Sequence, residues 1–169
     1  MSVRAALPRS AVAALFLERQ HLDRPRTRRL SAASLVRFAE DVGGIQLDSI
    51  NVLERAHLLT LWSRFGAYDR AALERLVYRQ RLLFEYWAHA ACLVPTTHFP
   101  MWRRAMLDYE VHHTGWTKWL KKHGPTTKRV EREFRERGPL GNADFLDERP
   151  GERMAGWWAW KPEAHAMEY

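Results

Sequence analysis

The segment from Gly43 to Asn51 carries a carboxamide and a carboxylate two residues apart, at Gln46 and Asp48. Its apolar and β-branched neighbours favour a strand, in which side chains two residues apart point to the same face. The two groups would then lie about 6.6 Å apart along the backbone, close enough to bracket one water molecule. The spacing fits a catalytic pair, and it also fits two polar side chains that face solvent on a half-buried strand.

A helix and a glycine precede this pair and must position it. Ser31 is a good N-cap for the helix, and Gly43 ends it because glycine readily adopts the left-handed conformation of a helix C-terminus. The apolar face of this helix repeats at helical spacing, in Leu35, Phe38, Ala39 and Val42. We therefore expect a rigid helix, turn and strand under the pair, as a catalytic site requires.

The same spacing rules predict further elements around this corner. An earlier helix is expected to have Ser10 as its N-cap, to end before Pro25, and to carry one apolar face formed by Val12, Leu15 and Phe16. Helices are also expected within Val52–Phe65 and after the N-cap Asp69. Two short apolar runs, Leu82–Trp87 and Ala90–Pro95, predict a β-hairpin. Helices followed by a hairpin are the outline of a winged helix.

Downstream of the hairpin the pattern is helical and strongly basic. Pro100 suits the first turn of a helix, and the interleaved basic and acidic residues from Trp116 to Gly138 favour i, i+4 pairs on an exposed helix. A turn at 138–140 leads into a second expected helix from Asn142, as in a helix-turn-helix unit. An extended run then holds Trp157, Trp158 and Trp160, and a helical pattern follows Pro162. The histidines have no recognisable ligand spacing, so no metal site is expected.

Composition sets broad limits on the function. The chain has 169 residues, 46% of them hydrophobic, which is enough to bury a real core. Its net charge of +7 favours a polyanionic partner such as nucleic acid, although a merely basic soluble protein fits as well. The single cysteine, Cys92, excludes an internal disulfide and suits a reducing compartment, where we expect it as a small buried hydrophobe. No apolar run is long enough to span a bilayer.

An arginine-rich run lies on an expected loop before the second helix. It consists of Arg24, Arg26, Arg28 and Arg29. Such a run can hold phosphates without reading sequence, or it can be ordinary solvated loop charge.

Four segments in the same order resemble the bacterial winged-helix DNA glycosylases of the YcaQ and AlkZ type, which remove alkylated bases and unhook interstrand crosslinks. They are residues 44–52, 57–64, 83–89 and 156–162. The resemblance implies a mainly α fold with small β-hairpins, a winged helix-turn-helix that is the first of a tandem array. It implies a first winged-helix domain at 1–98, a helical connector at 99–124, and the start of a truncated second winged helix at 125–169. We therefore expect a fragment of a longer protein.

The catalytic element of this family is a glutamine, an apolar residue and a second glutamine or an aspartate, and Gln46-Leu47-Asp48 matches the aspartate form of the YcaQ branch. The resemblance implies that Asp48 stabilises positive charge on the sugar and helps to activate water, while Gln46 orients that water. An N7-alkylated guanine is already cationic and leaves without protonation, so no strong general acid is needed. No lysine is required either, which implies a monofunctional glycosylase without a lyase step and without a cofactor.

A crosslinked base cannot rotate freely out of the duplex, so the resemblance also implies an open site. Its expected DNA-binding residues are Arg55, His57, Arg64, Trp87 and His89, with Arg26, Arg28 and Arg29 as outer contacts. The expected partner is double-stranded DNA carrying alkylated or crosslinked bases, bound by a monomer in the cytoplasm at the nucleoid, with no membrane association. The alternatives are a winged-helix DNA-binding or regulatory module without catalysis, and a truncated relative that serves only as an interaction domain.

Overall fold

The computed structural model describes residues 6–26, 29–48, 51–145 and 161–167. The chain forms two compact units, residues 1–103 and 104–169. In the first unit, the described helices and strands are α1 (Arg9–Arg19), α2 (Ala32–Val42), β1 (Ile45–Gln46), α3 (Ala56–Phe65), α4 (Arg70–Glu74), β2 (Leu83–Trp87) and β3 (Ala91–Pro95). A π-helical turn, Arg75–Arg79, extends α4, and a 3-10 turn, Thr96–His98, follows β3.

The three described strands form one antiparallel sheet in the order β1-β3-β2. Strands β2 and β3 make the hairpin expected from the two apolar runs, with Phe84 opposite Val94. Strand β1 pairs with the other edge of β3, so that Ile45 lies opposite Leu93 and Gln46 opposite Cys92. The hairpin prediction is therefore confirmed, and β3 is the central strand.

Helix α2 supplies three of the most deeply buried residues of the first unit. Leu35, Phe38 and Ala39 are all at most 1% exposed, as the spacing predicts. The Ser31 hydroxyl accepts a hydrogen bond from the Ser34 backbone N–H at 3.2 Å, which closes the N-terminus of the helix. Gly43 ends it in the left-handed conformation, with φ of 79°.

Helix α1 differs from its prediction. Pro8, and not Ser10, is the N-cap, because the Pro8 carbonyl already accepts hydrogen bonds from the N–H groups of Ala11 and Val12. Ser10 therefore lies inside the first turn. The expected apolar face is also exposed, with 66% of the Phe16 surface accessible.

Helix α3 is shorter than the helical pattern from Val52 to Phe65 predicts. Residues 51–55 are non-helical, and α3 begins at Ala56. Asp69 caps α4 as predicted, since its Oδ1 accepts a hydrogen bond from the Ala71 N–H at 2.9 Å. Leu61 and Phe65 of α3 join the core built on α2, and Val77 after α4 completes it.

In the second unit, the described helices after α5 (Phe99–Leu107), which contains the unit boundary, are α6 (Tyr109–His112), α7 (Thr114–Lys122), α8 (Gly124–Arg137) and α9 (Pro162–Met167). The expected i, i+4 pairs on α8 are confirmed: Glu131 accepts from Arg135 at 2.5 Å and Glu133 accepts from Arg137 at 3.0 Å. A 3-10 turn, Asn142–Asp144, follows the turn at 138–140 in place of the first turn of the expected α-helix, and residues 146–160, where that helix would continue, lie outside the described residues.

The mainly α fold with a small antiparallel sheet is consistent with a winged helix, as predicted. The tandem arrangement and the domain boundaries at residues 98 and 124 stay predictions. Trp157, Trp158 and Trp160 lie outside the described residues. Among the helices that the structure describes, none has the length and apolar character needed to cross a membrane.

Phe38 is the residue whose truncation should damage this core most. It is 1% exposed, and its ring packs edge to face on Phe65 at 6.0 Å. We predict that Phe38→Ala lowers the free energy of unfolding by about 3–5 kcal/mol, measured by chemical denaturation. The matched control Phe16→Ala, at a site 66% exposed, should change it by about 0.5 kcal/mol or less. Equal effects of the two substitutions on the free energy of unfolding would contradict the placement of Phe38 in the core.

Candidate active site

Gln46 lies at the exposed end of a strand whose neighbours are fixed. Ile45 is 2% exposed and faces Leu93 across the sheet. Gly44 comes so close to β3 that an added Cβ would lie 3.2 Å from Val94 Cγ1, and its φ of +142° favours glycine. The two features let β1 approach the central strand closely, so the backbone of Gln46 is held firmly.

Asp48 lies beyond the strand, which corrects the expectation of a strand across the whole segment. The Leu47 N–H still donates to the Ala91 carbonyl at 2.8 Å. Because β3 begins at Ala91, no strand residue remains opposite Asp48, and β1 ends. The half-buried Asp48 therefore follows an anchored backbone without sharing a regular strand with Gln46.

His89 reaches Gln46 from the turn of the hairpin. The turn is closed by a hydrogen bond from the Ala88 N–H to the Ala90 carbonyl at 3.0 Å. His89 Nε2 lies 3.3 Å from Gln46 Oε1, and His89 Nδ1 lies 4.0 Å from Cys92 Sγ. The structure thus brings a residue that the sequence assigns to DNA binding directly onto the proposed catalytic carboxamide.

His57 occupies the interior side of the same region. It is 9% exposed, and within the described ranges its Nδ1 atom is buried with no hydrogen-bond partner. Burial lowers the pKa of His57, and the cation of Arg55 lowers it further, while the carboxylate of Asp48 acts weakly in the opposite direction. His57 is therefore a neutral imidazole at neutral pH, within electrostatic range of Asp48.

A small cleft of about 110 Å³ adjoins His57. Its lining includes Leu47 of the motif and Tyr78, a residue that the sequence did not single out. The Tyr78 hydroxyl donates to Glu85 Oε1 at 2.8 Å, and burial together with this carboxylate raises the pKa of Tyr78 to about 12. Tyr78 therefore keeps its proton. Only the three-dimensional packing of the turn after α4 on β2 reveals it.

Arg64 makes its contacts in a different part of the unit. Its Nε donates to the Gln20 carbonyl at 3.1 Å, and one terminal nitrogen donates to Ser63 Oγ at 2.6 Å. The guanidinium lies over the Phe38 ring at 5.5 Å. These contacts attach the chain after α1 to α2 and α3, so Arg64 has a structural task. Its expected contact with DNA stays a prediction.

Among the described residues, the remaining expected DNA contacts are exposed side chains. Arg26 lies over the Trp62 ring at 4.7 Å, and Arg29 is exposed on the same connection. Arg28 falls outside the described residues. Arg55 is the exposed N-cap of α3, and 48% of the Trp87 surface is accessible at the end of β2. The structure thus leaves these side chains available at the surface, which is a condition for their expected role.

A winged-helix fold on a basic chain, with a carboxamide and a carboxylate two residues apart, fits a protein that binds or processes nucleic acid. Residues 39–169 match the family described as DNA glycosylase AlkZ-like. The match covers more than half of the chain, and the chain belongs to this family of DNA glycosylases, which are hydrolases of DNA repair. No solved structure matches the chain. The predicted family is confirmed, whereas the assignment to the aspartate branch stays a prediction.

The buried His57 should make stability depend on pH. Its pKa in the folded chain lies below its ordinary value of 6.5, so below that pH the unfolded chain binds a proton that the folded chain does not. The free energy of unfolding should therefore fall as the pH is lowered from 6.5 toward the folded-state pKa.

Chemical denaturation across this pH range measures the effect. His57→Asn should flatten the dependence, whereas His112→Asn, a change at an exposed histidine of α6, should leave it unchanged. The same slope in His57→Asn as in the unsubstituted chain would show that His57 does not titrate in this way.

Proposed function

We propose that the chain hydrolyses the N-glycosidic bond of N7-alkylated purines in double-stranded DNA, with Gln46 and Asp48 as its catalytic residues. The observation that carries the proposal is their placement: an exposed carboxamide ends β1, and a half-buried carboxylate follows two residues later on an anchored backbone. Membership of a DNA glycosylase family supports the class of reaction. The alkylated substrate and the two residue roles are our inference.

The chemistry needs one carboxylate and one positioned water molecule. An N7-alkylated guanine carries a positive charge, so the base leaves with the electron pair of the glycosidic bond and needs no added proton. The Asp48 carboxylate stabilises the positive charge that develops on the sugar, as a carboxylate does in glycoside hydrolysis. Water then adds to C1′ and passes a proton to Asp48, while the Gln46 carboxamide orients this water.

The charges around the pair suit a polyanionic substrate. A lone carboxylate repels phosphate, but the chain has a net charge of +7. Arg55, which is exposed at the start of α3, lies close enough to His57 to lower its pKa. Cations of this kind attract the duplex while the carboxylate faces the reacting sugar.

The positions of the lysines in the chain favour hydrolysis without strand cleavage. A glycosylase that also cleaves the strand uses an amine as its nucleophile. The first lysine in the chain is Lys118, so residues 1–103 offer no lysine amine to the site. We therefore propose a monofunctional enzyme.

We extend the proposed substrates to interstrand crosslinks, and the small volume of the cleft supports this extension. The cleft lined by His57 and Tyr78 holds about 110 Å³, well below the roughly 300–1,000 Å³ of sites that enclose a ligand. A nucleotide turned fully out of the helix does not fit there. Gln46 is exposed and does not line this cleft. An open site of this kind can reach a base that stays near the duplex because it is bonded to the other strand.

Asp48→Asn tests the proposal, because it keeps the shape of the side chain and removes its charge. We predict that release of N7-methylguanine from methylated duplex DNA falls at least about 100-fold, while affinity for the same duplex is retained. Single-turnover base release and a binding titration measure the two quantities.

Glu136→Gln is the matched control, since it makes the same chemical change at an exposed position of α8. It should leave the rate of base release unchanged. Equal rates for Asp48→Asn and the unsubstituted chain would reject Asp48 as a catalytic residue. Duplex binding with no base release from the unsubstituted chain would instead identify a winged-helix binding module.

A further inference from the structure

His89 lies between the Gln46 carboxamide and the Cys92 thiol. Its Nε2 is 3.3 Å from Gln46 Oε1, and its Nδ1 is 4.0 Å from Cys92 Sγ. A carboxamide oxygen only accepts hydrogen bonds, so this contact takes the tautomer of His89 that carries its proton on Nε2 and donates it. In the neutral ring, Nδ1 is then left with a lone pair that faces the thiol.

The thiol is suited to that lone pair. Cys92 is buried in the central strand, and burial raises the pKa of its thiol above the ordinary value. Its sulfur therefore keeps a proton at neutral pH and can donate weakly to Nδ1. With a proton on Nδ1 the sulfur could act only as a weak acceptor, so a donating thiol accompanies the tautomer of His89 that donates to Gln46.

The sheet fixes all three side chains relative to one another. Gln46 and Cys92 are directly opposite residues of β1 and β3. His89 lies in the hairpin turn three residues before Cys92, and the Ala88 to Ala90 hydrogen bond closes that turn. The pairing of β1 with β3 and the closed hairpin turn therefore bring the imidazole onto the carboxamide.

We propose that His89 is a positioning residue that holds the Gln46 carboxamide with its oxygen toward the water, and that Cys92 sets the tautomer in which His89 does so. This inference rests on the proposed function for its effect on rate. An amide can rotate by half a turn and exchange its oxygen for its NH₂ group. The His89 N–H bonds only the oxygen, which prevents the exchange.

The orientation matters for the nucleophile. Gln46 Oε1 has two lone pairs, one of which accepts from His89, so the second can accept a proton of the water. Asp48 accepts the other proton, and a lone pair of the water is left for C1′. With the amide reversed, its NH₂ group would donate to one of the two lone pairs of the water, which weakens the nucleophile, and one water proton would lose its acceptor.

Nitrogen NMR of the histidine ring tests the contact independently of any activity. The unsubstituted chain should show His89 with its proton on Nε2. Cys92→Ala should shift the population toward the Nδ1–H tautomer, and Cys92→Ser, which restores a donor, should shift it back. His89 with its proton on Nδ1 in the unsubstituted chain would overturn the proposal, and so would a Gln46 side-chain amide resonance that His89→Ala leaves unmoved.

Single-turnover base release tests the consequence for rate. His89→Ala should slow release about tenfold, the equivalent of one lost hydrogen bond, with no change in KM for the duplex. His89→Gln should restore most of the rate, because the Gln side-chain N–H can take the place of Nε2–H. In a Gln46→Ala background, His89→Ala should slow release no further.

The controls separate this inference from the proposed function. His112→Ala, a change at an exposed histidine of α6, should alter neither the His89 resonances nor the rate. An equal loss from His89→Ala in both backgrounds, or a loss confined to KM, would make His89 a DNA contact and overturn its positioning role. Base release that is absent, or insensitive to Asp48→Asn, would reject the proposed function, while the ring-nitrogen measurement would still decide whether His89 holds Gln46.

Discussion

The pairing of β1 with β3 is the interaction on which the site depends. Opposite Leu93, Ile45 anchors the strand in the core, and the Leu47 N–H makes the last hydrogen bond of the ladder to Ala91 at 2.8 Å. The same pairing places Gln46 opposite Cys92, within reach of the hairpin turn. A shift of one residue in this register would turn Gln46 to the other face of the sheet. The short strand thus determines which polar groups meet.

The polar side chains near this strand differ in burial. On the interior side, His57 is held neutral because burial lowers its pKa. On the other side, the exposed Gln46 faces the hairpin turn, and Asp48 follows at intermediate depth. The arrangement keeps a carboxylate within electrostatic range of a neutral imidazole. In the proposed reaction this carboxylate stabilises the positive charge that develops on the sugar as the base leaves.

Local signals in the sequence predicted the helix that precedes the site better than they predicted the contacts within the site. Three features of α2 depend only on neighbours a few residues away: its buried apolar face, its N-cap at Ser31 and its C-terminal end at Gly43. All three are present. The end of β1 depends on where β3 begins, which no pattern around Asp48 encodes. The contact of His89 with Gln46 joins residues 43 positions apart, and it follows from the register of the sheet. Ser10 failed as a cap because Pro8 already supplies the carbonyl that begins the helix.

The proposed role of the Asp48 carboxylate is to stabilise positive charge on the sugar. The most direct test of this role compares the affinity of the chain for two duplexes that differ at one nucleotide, with a cationic pyrrolidine or a neutral tetrahydrofuran in place of the damaged nucleoside. We expect the cationic duplex to bind at least about tenfold more tightly, and Asp48→Asn to remove this preference. Equal affinity of the unsubstituted chain for both duplexes would contradict the claim.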